Sequence, residues 1–475
     1  MSSFGNSGLF SDLFGHGAAD VGDLAWLQAM LDTEAALTRA LERAGLAAAG
    51  TGADVTAAAR ADRFDPAELG RQAARTGNPV PALVRALTSM LPDQAAAAVH
   101  RGATSQDIMD TAAMLVARRA LDGVLADLAG AATAAADLAA AQAGTIMIGR
   151  TLLQQAVPVT FGLVAAGWLT SIDEASEWLH RVRADRLAVQ FGGAAGTLAP
   201  LGEAGPEVVA LLAEELGLAR PVLPWHTDRL RIVELAGALA GACTAVGKVA
   251  RDVTLLAQAE VAEVAEGPAA ASPPGEVRQG ASSAMPHKRN PVASVVILGC
   301  TRRAPGLLAT LAAAGEQELQ RAAGAWHAEW EPLADLLGLT GSAARWTAEL
   351  LTGLRVDADR MRANLDAAGG FPMAARVADL LAPTLGPVAA HQVVAELSAA
   401  AAAAGLPLRA ALLDSPALAR QLTSPDSSPQ QPAAVAGSPQ LAAAIDAALD
   451  PARYLGASRR FVAGALAAHR QQAAR

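Results

Sequence analysis

The chain has 475 residues and a formal net charge of −9; 52% of its residues are hydrophobic and only 3% aromatic. This acidic balance argues against a nucleic-acid binder, which would show a basic stripe, although cations gathered in one place still bind anions. A core so poor in rings is built from Ala, Leu and Val, which suits closely packed helices.

No apolar run reaches the roughly 18 residues that a membrane-spanning helix needs, and no secretory leader pattern opens the sequence. Cys243 and Cys300 are too few for a disulfide framework. The expectation is a cytoplasmic protein with neither membrane nor nucleic-acid partners. In chain order, "DLAWLQAMLDTEAALTRALERAGL" carries helical spacing at Leu24, Leu27, Leu31, Ala35 and Leu37 to Leu41, with Gly45 near its end. "TGNPVPALVRAL" supplies a Pro-marked turn. Asp110 to Gly144 holds no proline and is rich in Ala and Leu; at about 1.5 Å per residue it makes a rod of about 50 Å. Pro158 to Pro200 and Pro224 to Pro268 bound two more proline-free spans. Helices this long bundle together, and the small residues of "LAGALAGACTAVGKVA" (Leu235 to Ala250) allow close approach. Beyond about residue 350 the helices shorten, and Thr423 to Pro439 reads as a mobile Ser/Pro/Gln-rich loop. No alternating strand pattern and no internal repeat is found. The fold expected is all-α: an N-terminal helical domain over 1–109, a central long-helix bundle over 110–350 and a C-terminal helical domain over 351–475.

Three polar islands interrupt the apolar background: "VHRGATSQDIMDTA" (Val99 to Ala112), "IGRTLLQQAVPVT" (Ile148 to Thr160) and "GASSAMPHKRNPVAS" (Gly280 to Ser294). Each has an ordinary structural explanation. Thr104 or Ser105 caps a helix with Asp107 in its first turn; "GRTLLQQAVP" starts a helix; the third is a solvated loop. Lysine usage favours more for the third island. The chain has two lysines, Lys248 and Lys288, against thirty-five arginines. A lysine kept where arginine is the rule suggests that a compact ammonium is wanted, not a planar fork.

Taken together and in order, the islands resemble the three signature regions of the fumarase/aspartase superfamily: "TSQD", "GRT-x-x-Q-x-A-x-P" and G-S-S-x-M-P-x-K-x-N-P, read here as "GASSAMPHKRNP". Within it, "GATSQDIMDTA", "FGGAAGTLAPLG", "PWHTDRLRI" and "RAAGAWHAEWEPL" are similar to the 3-carboxy-cis,cis-muconate cycloisomerase branch. The resemblance implies a fumarase/aspartase-like helical fold, a homotetramer with active sites shared between subunits, a small polycarboxylate substrate and no cofactor. It also implies Ser282 as the catalytic base, six residues before Lys288. Thr104, Ser105, Gln106, Thr151 and Gln154 would then supply neutral hydrogen bonds, and Lys288 and Asn290 would hold a substrate carboxylate. Arg321, in "QRAAGAW", aligns with a family arginine.

Departures from the pattern refine this picture. Amine-releasing members carry histidines where this chain has Asn78 and Leu152; those histidines protonate the leaving group. A carboxylate leaves as an anion, since its pKa is only about 4. Their loss therefore suits a lactonising reaction with Asn78 among the substrate-binding residues, while Leu152 also reads as core filling. Candidate cations for a tricarboxylate are Arg150, Lys288, Arg289, Arg321, His226 and His287. Leu230 and Leu319 stand where relatives often have Asp and His, which keeps open another superfamily lyase, such as an adenylosuccinate lyase-like enzyme, or a weakened homologue. No metal site is apparent: neither H-E-x-x-H nor paired-Cys spacing occurs. "FGGAAG", Phe191 to Gly196, reads as a tight turn between helices.

Overall fold

A computed structural model describes residues 11–15, 21–267, 280, 284–285, 287–422 and 438–474. Helix dominates, as the composition requires. The longest helices are Ser105–Ala141, Phe161–Asp185, Leu230–Leu256, Val292–Ala313 and Trp330–Gly353. The first three fall inside or beside the proline-free spans, since nothing there breaks the backbone ladder. The chain divides into two compact units. One comprises residues 1–132, 171–254 and 268–353; the other comprises 133–170, 255–267 and 354–475.

In the first unit the Asp23–Arg43 helix buries Leu27, Leu31, Ala35, Leu37 and Leu41 as its spacing anticipates, while Leu24 faces solvent. Gly45 follows it in a left-handed conformation (φ 72°). In the Leu230–Leu256 helix the small residues do allow close approach. A Cβ on Gly241 would lie 2.8 Å from the Trp178 ring, and one on Gly247 3.1 Å from the Thr301 hydroxyl. Cys243 and Cys300 are both free and buried. Burial pushes the Cys243 thiol up to about 12, which leaves it an inert packing group.

Three helices (Ser105–Ala141, Leu230–Leu256 and Val292–Ala313) are long and apolar enough to cross a membrane by length and composition. That corrects the expectation drawn from apolar run length. Hydropathy averaged along a helix tolerates the scattered Thr and Arg that interrupt a strict run.

The second unit contains the clearest departure from an all-helical reading. Ile146–Thr151 and Gln154–Thr160 form an antiparallel hairpin, with a register shift between Ile148 and Arg150. At that shift a Cβ on Gly149 would meet the Val157 carbonyl oxygen at 2.6 Å, so only glycine fits. The island around Arg150 is therefore a strand–turn–strand and not a helix start. Val264–Ala265 and Arg355–Val356 form a second, shorter antiparallel pair. The shorter C-terminal helices gather around Val377, Leu381, Val393, Leu408, Leu412 and Ile445. Residues 423–437 of the expected Ser/Pro/Gln-rich loop lie outside the described residues; Ser438 caps the helix Pro439–Leu449 by accepting from the Leu441 N–H.

Candidate active site

The Ser105–Ala141 helix begins inside the first polar island, and its opening turn carries the side chains that organise the site. The Thr104 N–H donates to Asp107 Oδ2 at 2.9 Å, which is half of a capping box. Asp107 does more than cap. Buried, it also accepts the N–H groups of Gly192 and Gly193, both at 2.9 Å, and its Oδ1 lies 2.7 Å from His226 Nε2. The expected "FGGAAG" turn is thereby fixed. Gly193 sits at φ 68°, and a Cβ there would come 2.8 Å from the Gly102 carbonyl oxygen.

One helical turn of side chains links this region to Arg321. Gln106, wholly buried, donates through Nε2 to Asp110 Oδ2 (3.1 Å) and to the His226 carbonyl (2.9 Å). Its Oε1 accepts from Arg321 Nη1 at 2.7 Å. Arg321 Nη2 donates to the Ala194 carbonyl at 2.9 Å. Two separate arms, an amide and a backbone turn, thus hold a half-buried guanidinium that has N–H groups to spare. Of the residues singled out from sequence, Gln106 is thus brought into direct contact with both Arg321 and His226.

Behind them lies a charge array that pattern reading missed. Arg229, almost fully buried, forks onto Asp110 (Nη1–Oδ2 2.7 Å, Nη2–Oδ1 3.0 Å) and onto Glu329 (Nε–Oε1 3.0 Å, Nη2–Oε2 2.5 Å). Trp326 Nε1 donates to Asp110 Oδ1 at 3.0 Å, and the guanidinium lies 4.8 Å from the Trp225 ring centroid. Burial opposes the Arg229 charge, but the two carboxylates hold its pKa above the ordinary value. Burial also lifts the Glu329 carboxyl above the usual carboxylate range, despite Arg229. The sequence signal was Arg229 in "PWHTDRLRI" and Glu329 in "AWHAEW", charges set close to tryptophans.

The loop leading into this helix is held by a second buried carboxylate. Glu34 Oε2 accepts the His100 N–H at 3.0 Å, and Oε1 meets His100 Nδ1 at 2.7 Å. His100 itself is left-handed (φ 59°). Burial opposes its charge, yet Glu34 prevails and raises the imidazole pKa above its ordinary value. Such a group stabilises the fold fully below its unfolded pKa, and the contribution is lost as pH rises through the higher folded pKa. His100→Ala should therefore lose about 2 kcal/mol near pH 5.5 and less near pH 9. Urea unfolding of both proteins at the two pH values checks this, and an equal loss at both would contradict it.

The remaining candidates divide by unit. In the first, Asn78 Oδ1 accepts the Val80 N–H at 3.1 Å and so opens the helix Val80–Thr88. Neighbouring Gly77 meets His327 Nε2 through its carbonyl at 3.1 Å. The third island closes on itself: the Asn290 N–H donates to the Gly280 carbonyl at 2.9 Å. A Cβ on Gly280 would clash with the Asn290 backbone carbonyl oxygen, and Gly280 is left-handed (φ 75°). His287 and Lys288 are exposed within the pinched loop, and Asn290 is half-buried. Ser282 lies outside the described residues.

In the second unit Thr151 and Gln154 are register partners at the hairpin end, both exposed. Between them Leu152 and Leu153 occupy the two turn positions at φ 52° and 64°, where Asn-Gly is the favoured sequence. Leu152 is 97% exposed, which overturns its reading as core filling. Leu230 and Leu319, the other departures, are also exposed. Two of the expected cations are already engaged. His226 is buried against Asp107, and Arg150 is bidentate to Glu263 (2.8 Å twice), a fully buried carboxylate that also accepts from Asn364 Nδ2 at 2.9 Å.

A long helix that opens on buried carboxylates, with the Gln106 amide and backbone carbonyls holding the Arg321 guanidinium beside it, is an arrangement that can receive an anion. A family model described as "Lyase" matches residues 23–306, and the chain belongs to this family, that of the fumarase/aspartase enzymes. It is 44% identical over 450 residues to a 3-carboxy-cis,cis-muconate cycloisomerase of Pseudomonas aeruginosa, covering 94% of this chain and 93% of the relative. It is also 44% identical over 451 residues to a nitrosuccinate lyase of Streptomyces davaonensis, covering 93% and 90%. The crystal structure of the 3-carboxy-cis,cis-muconate lactonizing enzyme from Pseudomonas putida superposes with a TM-score of 0.86 at 40% identity, covering 98% of this chain and 99% of that one.

Proposed function

We propose that the chain is a cofactor-independent cycloisomerase that interconverts 3-carboxy-cis,cis-muconate and 4-carboxymuconolactone, acting as a cytoplasmic homotetramer. The anchored Arg321 guanidinium carries this reading, because it presents free N–H groups to a substrate carboxylate. In the lactonising direction one substrate carboxylate oxygen forms a bond to a carbon of the diene. Ser282 gives its proton to the neighbouring carbon and regains one from solvent, so the lactone is an isomer of the substrate acid and no group is released. In reverse, Ser282 removes that proton and the carboxylate leaves as an anion. The intermediate carries its negative charge on a second carboxylate, where Lys288 and Asn290 would stabilise it. A Gly/Ser-rich loop and a nearby ammonium are the means by which a serine hydroxyl becomes basic enough.

The direct test follows the diene's ultraviolet absorbance with purified protein and no added metal or nucleotide. The absorbance should fall; unchanged absorbance over hours would sink the substrate assignment. A second reading is favoured by the 44% identity to the nitrosuccinate lyase. Nitrite, like a carboxylate, departs as a stable anion and needs no proton from the enzyme. Release of nitrite and fumarate from nitrosuccinate would select that reading. Fumarate from adenylosuccinate would instead point to the amine-releasing members.

A further inference from the structure

The Asp110–Arg229–Glu329 array has no part in the chemistry assigned to Ser282 and Lys288, and stability alone is a poor reason for it. Buried ion triads often contribute less than well-packed apolar groups of similar volume. What the array does control is the amide of Gln106. Asp110 Oδ2 accepts from Gln106 Nε2, and the Arg229 fork and Trp326 Nε1 hold Asp110 still. Arg229 is held in turn by Glu329, which Gln317 Nε2 steadies at 2.9 Å. With the amide reversed, its oxygen would face a carboxylate and the His226 carbonyl, and its NH2 group would face a guanidinium. Every one of those contacts is repulsive. Only the observed orientation turns Oε1 toward Arg321 Nη1.

We propose that Asp110, braced by Arg229 and Glu329, is a positioning residue that fixes the Gln106 amide and through it aims Arg321 at a substrate carboxylate. The proposal rests on the reading of Arg321 as a carboxylate anchor. Asp110→Asn keeps the shape of the side chain but offers an NH2 group to Gln106, so the amide is free to reverse. One charge-assisted hydrogen bond lost at the anchor corresponds to about a tenfold weaker carboxylate grip.

The test is a double-mutant cycle read by calorimetric binding of propane-1,2,3-tricarboxylate and by KM against kcat. Asp110→Asn should weaken binding and raise KM about tenfold, with kcat changed less than about threefold. In an Arg321→Ala background the same substitution should change binding less than about twofold, because its effect passes through Arg321. Effects that multiply would overturn the proposal, as would a loss confined to kcat. Should Asp110→Asn not fold, Gln106→Met carries the same expectation with the ion array intact. If Arg321→Ala alone leaves binding unchanged, the anchor reading has failed. If Arg321→Ala weakens binding and Asp110→Asn does not, the positioning role has failed.

Discussion

Arg229→Met is expected to destabilise the protein by about 3–5 kcal/mol, a large part of the roughly 5–15 kcal/mol that holds a typical domain folded. Methionine fills similar volume, so the loss comes from charge. Asp110 and Glu329 would be left in the interior sharing no cation, with Arg229's bonds of 2.5 to 3.0 Å to them removed. Part of this is relieved by protonation, and Glu329 is the group that yields, since burial already lifts its pKa. Arg229→Met combined with Glu329→Gln should accordingly recover a share of the stability. Urea unfolding of the single and double variants measures both effects. A single variant within about 1 kcal/mol of the parent would show that the array is not under the electrostatic tension its burial implies.

Ser282→Ala should lower kcat by about 10³-fold or more, within the range for removal of a general base, and leave KM close to its parent value. The split is the informative part. A serine that only bound substrate would raise KM instead, whereas one that carries the proton affects only the step in which the C–H bond forms or breaks. Lys288→Met should lower kcat as well and should also weaken polycarboxylate binding, because its ammonium is assigned both to the serine's basicity and to a substrate carboxylate. A Ser282→Ala protein with parental turnover would remove the mechanism from both the lactonising and the eliminating reading.

Much of the helical scaffold was legible because its signal is local. Proline-free stretches rich in Ala and Leu became Ser105–Ala141 and Leu230–Leu256, and the glycines of the latter admit Trp178 and Thr301 as expected. The hairpin was not legible. "IGRTLLQQAVPVT" does not alternate, its turn is written in leucines, and a clamp from Glu263, 113 residues away from Arg150, holds it. The same limit applies to the site. Gln106 and Arg321 stood out as residue types within motifs. The pairing of Arg229 with Asp110, across 119 residues, and with Glu329, across 100, exists only once the chain has folded. Short-range patterns can flag a buried charge as odd but do not say which partner it meets. Arg150 and His226 show the converse, since each was a candidate cation for the substrate by its place in a motif and each is taken by a carboxylate.

The scarcity of lysine has a practical consequence for the pinched Gly280–Asn290 loop. An amine-selective acylating reagent meets only two side-chain targets in the whole chain, Lys248 and Lys288. Lys248 is paired with Asp252 one helical turn along, on the Leu230–Leu256 helix, and Lys288 stands exposed in the loop. Peptide mapping after acylation can therefore separate a tag on Lys288, six residues from Ser282, from one on the also exposed Lys248. The attachment rate at Lys288, with and without a bound polyanion, becomes a direct gauge of how that segment is covered.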